Sequence, residues 1–146
     1  MNPNKIYLAQ TDTTVGFLSQ DKTKLNKIKN RPINQPILRE VDSLETLKKF
    51  VRVPNSHKRR VRRAEKTTFI FPNGESFRVV KDEKHIEFLK KFKWMYSTSA
   101  NEHGKIFNKE WAKEKADVIV EDKRGLFEGK ASTIYKLGKY KIKKIR

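Results

Sequence analysis

Three separated groups of residues in this 146-residue chain carry the oxygens and cations that hold phosphate. The run Tyr96-Ser97-Thr98-Ser99-Ala100-Asn101-Glu102-His103-Gly104 sets hydroxyls, an amide and a turn glycine directly after a short apolar segment, as at a phosphate-binding strand end. Serine and asparagine at such a place also satisfy turn backbone groups. Lys29-Asn30-Arg31-Pro32 alternates two cations. Arginine offers a bidentate fork and lysine a mobile point charge, so the pair can clamp an oxyanion. The same two charges also complement a helix C-terminus. Ala131-Ser132-Thr133-Ile134 places a further hydroxyl pair in a strand-like run, and Thr11-Asp12-Thr13-Thr14 precedes Gly16, where hydroxyls hold a small polar ligand or cap the loop. Arg78 alternates with Phe77 and Val79 and faces opposite to them, toward a cleft or toward water.

The elements that position these groups follow from the apolar pattern. Residues 5–9 read as a short buried strand and 10–16 as a polar loop. Asp21 caps a helix running to about Asn30, with Leu25 and Ile28 inward, and Pro32 stops it. Lys29 and Arg31 therefore sit at a helix exit and are expected to be exposed. Asp42 or Ser43 opens a second helix through Arg52. Residues 66–72 and 76–80 flank Asn73-Gly74, a strong hairpin signal. A helix from Asp82 with Ile86, Phe88, Leu89 and Phe92 inward, then a strand at 94–96, deliver the Ser-rich loop. Asn108 caps a helix ending near Lys115, 117–121 is a strand, 125–129 a loop, and strands at 131–135 and 139–145 close the chain. Alternating strands and helices with one antiparallel hairpin predict an α/β fold around a mixed sheet, within a single domain spanning 1–146.

Composition narrows the partners. The formal net charge of +18 attracts polyanions and speeds their encounter, although charge alone identifies no substrate. Residues 57–63, His-Lys-Arg-Arg-Val-Arg-Arg, hold one apolar residue and form the densest basic patch, a solvated face or an RNA contact through Lys58, Arg59, Arg60, Arg62 and Arg63. The chain has no cysteine, which excludes disulfides, thiolate nucleophiles and Cys-held metals and fits a cytoplasmic setting. The N-terminal residues are expected to be neither signal peptide nor membrane anchor. His57, His85 and His103 show no metal spacing, and no HExxH, GxxxxGK[ST], GxGxxG or GxSxG pattern occurs, which disfavours zinc hydrolysis, P-loop chemistry and serine esterase chemistry. The phenylalanines at 69, 71, 77, 88 and 92 fall at core periodicities rather than on a base-stacking platform.

Taken in order, Gln10-Thr11-Asp12-Thr13-Thr14-Val15-Gly16, Lys29-x-Arg31-Pro32, Phe77-Arg78-Val79-Val80, Ser97-Thr98-Ser99-Ala100-Asn101-x-x-Gly104, Ser132-Thr133-Ile134 and Ile145-Arg146 resemble the YrdC-like threonylcarbamoyl-adenylate synthases over nearly the whole chain. The resemblance implies a twisted, mixed open sheet flanked by helices, with a basic concave cleft. It implies synthesis of threonylcarbamoyl-AMP and pyrophosphate from L-threonine, bicarbonate or CO2, and ATP with Mg2+, for the t6A37 modification of tRNA. By the same likeness Lys29, Arg31, Gln35, Ser99, Asn101 and Arg146 would bind ATP, with Lys29 and Arg31 as the catalytic pair. Thr13, Arg78, Ser97 and Ser132 would hold threonine, no side chains would form a dedicated metal site, and separate transfer proteins would receive the adenylate. Val15 replaces a tyrosine usual in the family, Gln10 a proline, Ala64-Glu65-Lys66-Thr67-Thr68 stands for Pro-Gly-Pro-x-Thr, and Glu40 takes the place of a histidine that touches threonine in some members. The rival expectation is a non-catalytic binder of tRNA or double-stranded RNA with the same fold.

Overall fold

β1 (Tyr7–Gln10) is buried along its whole length because it lies inside the sheet, antiparallel to β2 (Val15–Ser19) with Tyr7 opposite Leu18, and parallel to β7 (Val118–Val120) with Tyr7 opposite Val118. A computed structural model describes residues 1–146. The other strands are β3 (Arg39–Val41), β4 (Thr67–Ile70), β5 (Ser76–Val79), β6 (Trp94–Ser99), β8 (Thr133–Leu137) and β9 (Ile142–Lys144). All nine join one sheet in the order β7-β1-β2-β6-β3-β5-β4-β8-β9, with parallel pairing at β1/β7, β3/β5 and β4/β8 and antiparallel pairing elsewhere. This is the mixed α/β sheet that the pattern predicts.

Five short helices cover it: α1 (Lys22–Ile28), α2 (Leu44–Lys48), α3 (Lys58–Arg63), α4 (Glu83–Leu89) and α5 (Lys109–Lys115). Alternation along β1 divides the core. Ile6 and Leu8 pack with Leu25 of α1 and Ala112 of α5, whereas Tyr7 and Ala9 pack with Phe88 and Leu89 of α4. A third cluster joins Leu47 of α2 and Val61 of α3 to Val41, Phe69, Phe77 and Leu137 of the sheet. Asp21, Ser43, Asp82 and Asn108 cap their helices by accepting backbone N–H bonds, as their residue types dictate.

Several boundaries differ from the sequence reading, each for a physical reason. The first loop is only residues 11–14, because 15–19 form β2. Gly16 lies within that strand, where a Cβ would stand 3.2 Å from the Thr98 carbonyl oxygen and 3.3 Å from Thr11 Cγ2. The first helix ends at Ile28, and Asn30 takes the left-handed conformation (φ 53°) that turns the chain toward Arg31. The second helix stops at Lys48 instead of Arg52, its last turn closed by the Phe50 and Val51 N–H groups, which both donate to the Leu47 carbonyl (3.0 and 3.1 Å). The strand at 94–96 continues to Ser99, so Ser97 and Ser99 are strand residues rather than turn residues. The basic run forms a 3-10 turn (Asn55–His57) leading into α3, with His57 and Val61 buried and the arginines exposed. The closing strands begin two and three residues later than expected, at Thr133 and Ile142. No helix is long and apolar enough to cross a membrane.

Candidate functional site

The interior of the sheet opens into a cleft of about 380 Å³. Its walls come from the β1–β2 loop, the exit of α1, β5, β6, the segment before β8, and Arg146. Lys29, Arg31, Ser99, Asn101, Arg146, Thr13, Arg78, Ser97 and Ser132, residues from distant parts of the chain, all line it. The lining also includes Thr11, Thr14, Thr98 and His103, and it contains no carboxylate side chain.

Lys29 departs from the expected exposure. It is 4% exposed, because its Nζ reaches across to β6 and donates to the Ser99 carbonyl (2.8 Å), to Ser99 Oγ (3.2 Å) and to Asn101 Oδ1 (3.4 Å). Burial, reinforced by the neighbouring Arg31 charge, pushes its pKa down to about 8. Arg31 is half-buried; Nη2 makes one long contact to Thr98 Oγ1 (3.4 Å), Nε is buried without a partner, and Nη1 makes no hydrogen bond, so the outer edge of the guanidinium is the part available to an anion. Burial lowers its pKa as well.

On the other wall, Thr11 Oγ1 donates to the Thr14 carbonyl (2.6 Å) and accepts from the Thr13 N–H (3.2 Å), a hydroxyl-bonded turn that folds the Thr-Asp-Thr-Thr run. Ser132 Oγ shares a hydrogen bond with Thr68 Oγ1 (2.8 Å). Arg146 donates from Nε to the Ser132 carbonyl (2.9 Å) and from Nη2 to Ser132 Oγ (3.2 Å). Gly129 N–H donates to Thr14 Oγ1 (2.9 Å) and approaches the Thr13 carbonyl so closely that a Cβ would overlap it. Gly129→Ala is therefore expected to cost about 1–3 kcal/mol by forcing this loop off the Thr13 wall. Urea unfolding measures the cost.

Arg78 points inward to a buried charge cluster that single residues did not reveal. Its Nε donates to Asp12 Oδ1 (3.1 Å) and its Nη2 lies 3.0 Å from Glu40 Oε2, off the direction of a good hydrogen bond. Glu40 Oε1 in turn bonds His85 Nε2. The Arg78, Asp12 and Glu40 side chains are 4%, 3% and 0% exposed. Burial pushes Glu40 up, but Arg78 and His85 outweigh it and bring its pKa to about 2. Burial raises Asp12 despite Arg78. Asp12 adjoins threonines already singled out, whereas β3 and His85 carried no local signal linking Glu40 to Arg78.

Two expected groups lie elsewhere. Gln35 is exposed and does not line the cleft; only its backbone is engaged, donating to the Pro32 carbonyl (3.0 Å) and accepting from Asn26 Nδ2 (3.1 Å). The turn after Pro32 carries its side chain outward. Lys58, Arg59, Arg60, Arg62 and Arg63 sit on α3, apart from the cleft lining.

The profile of the Sua5/YciO/YrdC family, described as "telomere recombination", matches residues 1–146. The chain belongs to this family. Among solved structures it is similar to P. abyssi Sua5, at 18% identity over 97% of this chain and 49% of that one with a TM-score of 0.81. A structure of the same protein complexed with L-threonine gives a TM-score of 0.77. E. coli YciO matches at 17% identity, covering 98% of this chain and 82% of that one, with a TM-score of 0.77. Full-length HypF in a phosphate- and nucleotide-bound form matches at 17% identity over 97% of this chain and 26% of that one, with a TM-score of 0.70. At these identities the likeness concerns the fold, and the chain spans about half the length of the Sua5 structures it matches. No curated protein matches the chain in sequence.

Proposed function

We propose that the cleft binds ATP and L-threonine together and makes threonylcarbamoyl-AMP and pyrophosphate, with bicarbonate or CO2 as the third substrate, for t6A formation in tRNA. The observation that carries this reading is the convergence of Lys29, Arg31 and Arg146 with the hydroxyls of both walls in one cleft lined by no carboxylate side chain. The reaction gathers a carbamate, an amino-acid carboxylate and a polyphosphate. Two unit charges at about 4 Å interact by roughly 1 kcal/mol in water and roughly 4 kcal/mol at a protein-like effective dielectric. Fixed cations must therefore offset repulsion before proximity can accelerate anything.

In this reading Lys29 and Arg31 take the triphosphate, with Ser99, Asn101 and Arg146 fixing the nucleotide. Thr13, Ser97 and Ser132 hold threonine through hydroxyls. Arg78 assists from Nη1, its Nε and Nη2 being engaged by Asp12 and Glu40. The free threonine amine adds CO2 and releases a proton to solvent to give a carbamate, a carbamate oxygen bonds to the α-phosphorus, and the bond to the β-phosphate breaks, pyrophosphate leaving with its electron pair. Lys29 and Arg31 stabilise the charge that develops there, and orientation supplies the remainder. No protein nucleophile is needed. In this reading Mg2+ enters with ATP, held through the phosphate oxygens. Pyrophosphate release measured with and without L-threonine and bicarbonate tests the reading. Release that needs both supports it, and release indifferent to either overturns it.

Lys29 adds a pH dependence. Its folded pKa of about 8 lies below the ordinary 10.5, so the unfolded chain holds more protons between these values and ligand-free stability rises with pH across that window. Triphosphate needs the charged amine, so ATP affinity is expected to fall above pH 8, approaching about tenfold per unit. Calorimetric titration of a non-hydrolysable ATP analogue from pH 7 upward measures this, and Lys29→Met should remove the slope.

An RNA-binding role is favoured by one observation: Arg59, Arg60, Arg62 and Arg63 are exposed on α3 and form no ion pair. Steeply salt-dependent RNA binding without threonine-dependent turnover would make that the whole function.

A further inference from the structure

A second concavity, a groove of about 690 Å³, shares no lining residue with the cleft. Leu44, Val51, Val53 and Val61 form its aliphatic floor, and the three valines belong to the core cluster that anchors α2 and α3 to the sheet. Its rim carries Lys48, Lys49, Arg52, Lys58 and Arg62, all exposed, none in an ion pair, with no carboxylate among the lining residues. Lys58, Val61 and Arg62 stand at i, i+3 and i+4 and so share one face of α3, while Arg59, Arg60 and Arg63 do not line the groove.

Five unpaired cations around an aliphatic floor fit a ligand with apolar anchors flanked by carboxylates. A nucleic-acid backbone would satisfy the rim and leave the floor unused. Base stacking needs a free aromatic face, and the groove's one aromatic residue, Phe50, has the Arg39 guanidinium 4.9 Å from its ring centre and contacts Phe77 and Trp94 at 5.6 and 5.5 Å. We infer that this groove docks an acidic amphipathic segment of a protein partner, its aliphatic side chains on the valine floor and its carboxylates on the rim cations. The chain's net charge of +18 steers such a partner inward, and the floor supplies discrimination that charge alone lacks.

The test is independent of the cleft's chemistry. A fluorescent helical peptide with leucine at i, i+3, i+4 and i+7 and glutamate elsewhere is titrated into the full chain at physiological ionic strength, beside a counterpart of equal charge with serine for leucine and an RNA duplex. The leucine peptide is expected to bind about tenfold or more tighter than the serine peptide. It should shift amide resonances at residues 44–53 and 58–62, and weaken about tenfold or more in Lys58→Glu/Arg62→Glu of unchanged thermal midpoint. Equal binding of the two peptides would show polyanion attraction only and overturn the inference. So would absence of binding, shifts confined to other residues, or RNA duplex shifting the same amides and displacing the leucine peptide.

Discussion

Replacing Arg31 or Lys29 by alanine is expected to lower threonine-dependent pyrophosphate release by about 10²–10³-fold or more, the usual loss when a fixed donor to developing charge is removed. Arg31 has no partner at Nε and only a 3.4 Å contact at Nη2, so Arg31→Ala should leave the unfolding midpoint nearly unchanged. Lys29→Ala separates activity from stability in a second way. Burial disfavours its charge, so the ligand-free variant gives up little of the fold, although the Ser99 carbonyl loses its 2.8 Å donor. Turnover assays beside urea titrations check both. Unchanged turnover in either variant removes that residue from the mechanism.

Arg78→Ala is expected to destabilise the chain by about 3–5 kcal/mol, because it leaves Asp12 and Glu40 buried without their counter-charge. Loss of the Nη1 contact to threonine would lower activity as well, so denaturant unfolding is the readout that isolates the buried charge pairs. Acid exposes the same cluster. Folded Glu40 stays ionised to about pH 2, while the unfolded carboxyl protonates near 4.5. Its contribution is fully present above pH 4.5 and is lost as pH falls toward 2. Asp12 works in the opposite sense: its folded pKa is raised, so acid relieves part of its cost. Asp12→Asn should therefore lack the stability that the parent chain regains as pH falls toward 3.8, the ordinary value of this carboxyl, and should follow the parent's slope below it, which unfolding curves on both sides of that pH measure.

The fold class was legible in the sequence because apolar runs, caps and the Asn73-Gly74 turn agree with the final sheet. Most of the cleft was legible because hydroxyls and cations lie in short local runs. Two strands escaped that logic. β2 is buried on every residue and so shows no alternation, and β3 has three residues, two of them charged. Missing β3 hid the pairing of Glu40 with Arg78, and with it the reason that Arg78, which lines the cleft, has Nε and Nη2 turned to two carboxylates. Burial of Lys29 was unreadable for a similar reason: its acceptors lie 70 and 72 residues away on another element. Gln35, assigned to the nucleotide through the family resemblance alone, shows the reverse: the turn after Pro32 carries its side chain outward, away from the cleft lining.

The central claim is that one cleft joins threonine, inorganic carbon and ATP. Mass analysis of the product formed from the full chain with MgATP, L-threonine and 13C-labelled bicarbonate tests it most directly. The account predicts an adenylate containing both threonine and the labelled carbon, formed in equal amount to pyrophosphate and lowered by about 10²-fold or more with Arg31→Ala. ATP consumption that yields an adenylate without threonine or without label, or no adenylate despite measured binding of ATP and threonine, would contradict it.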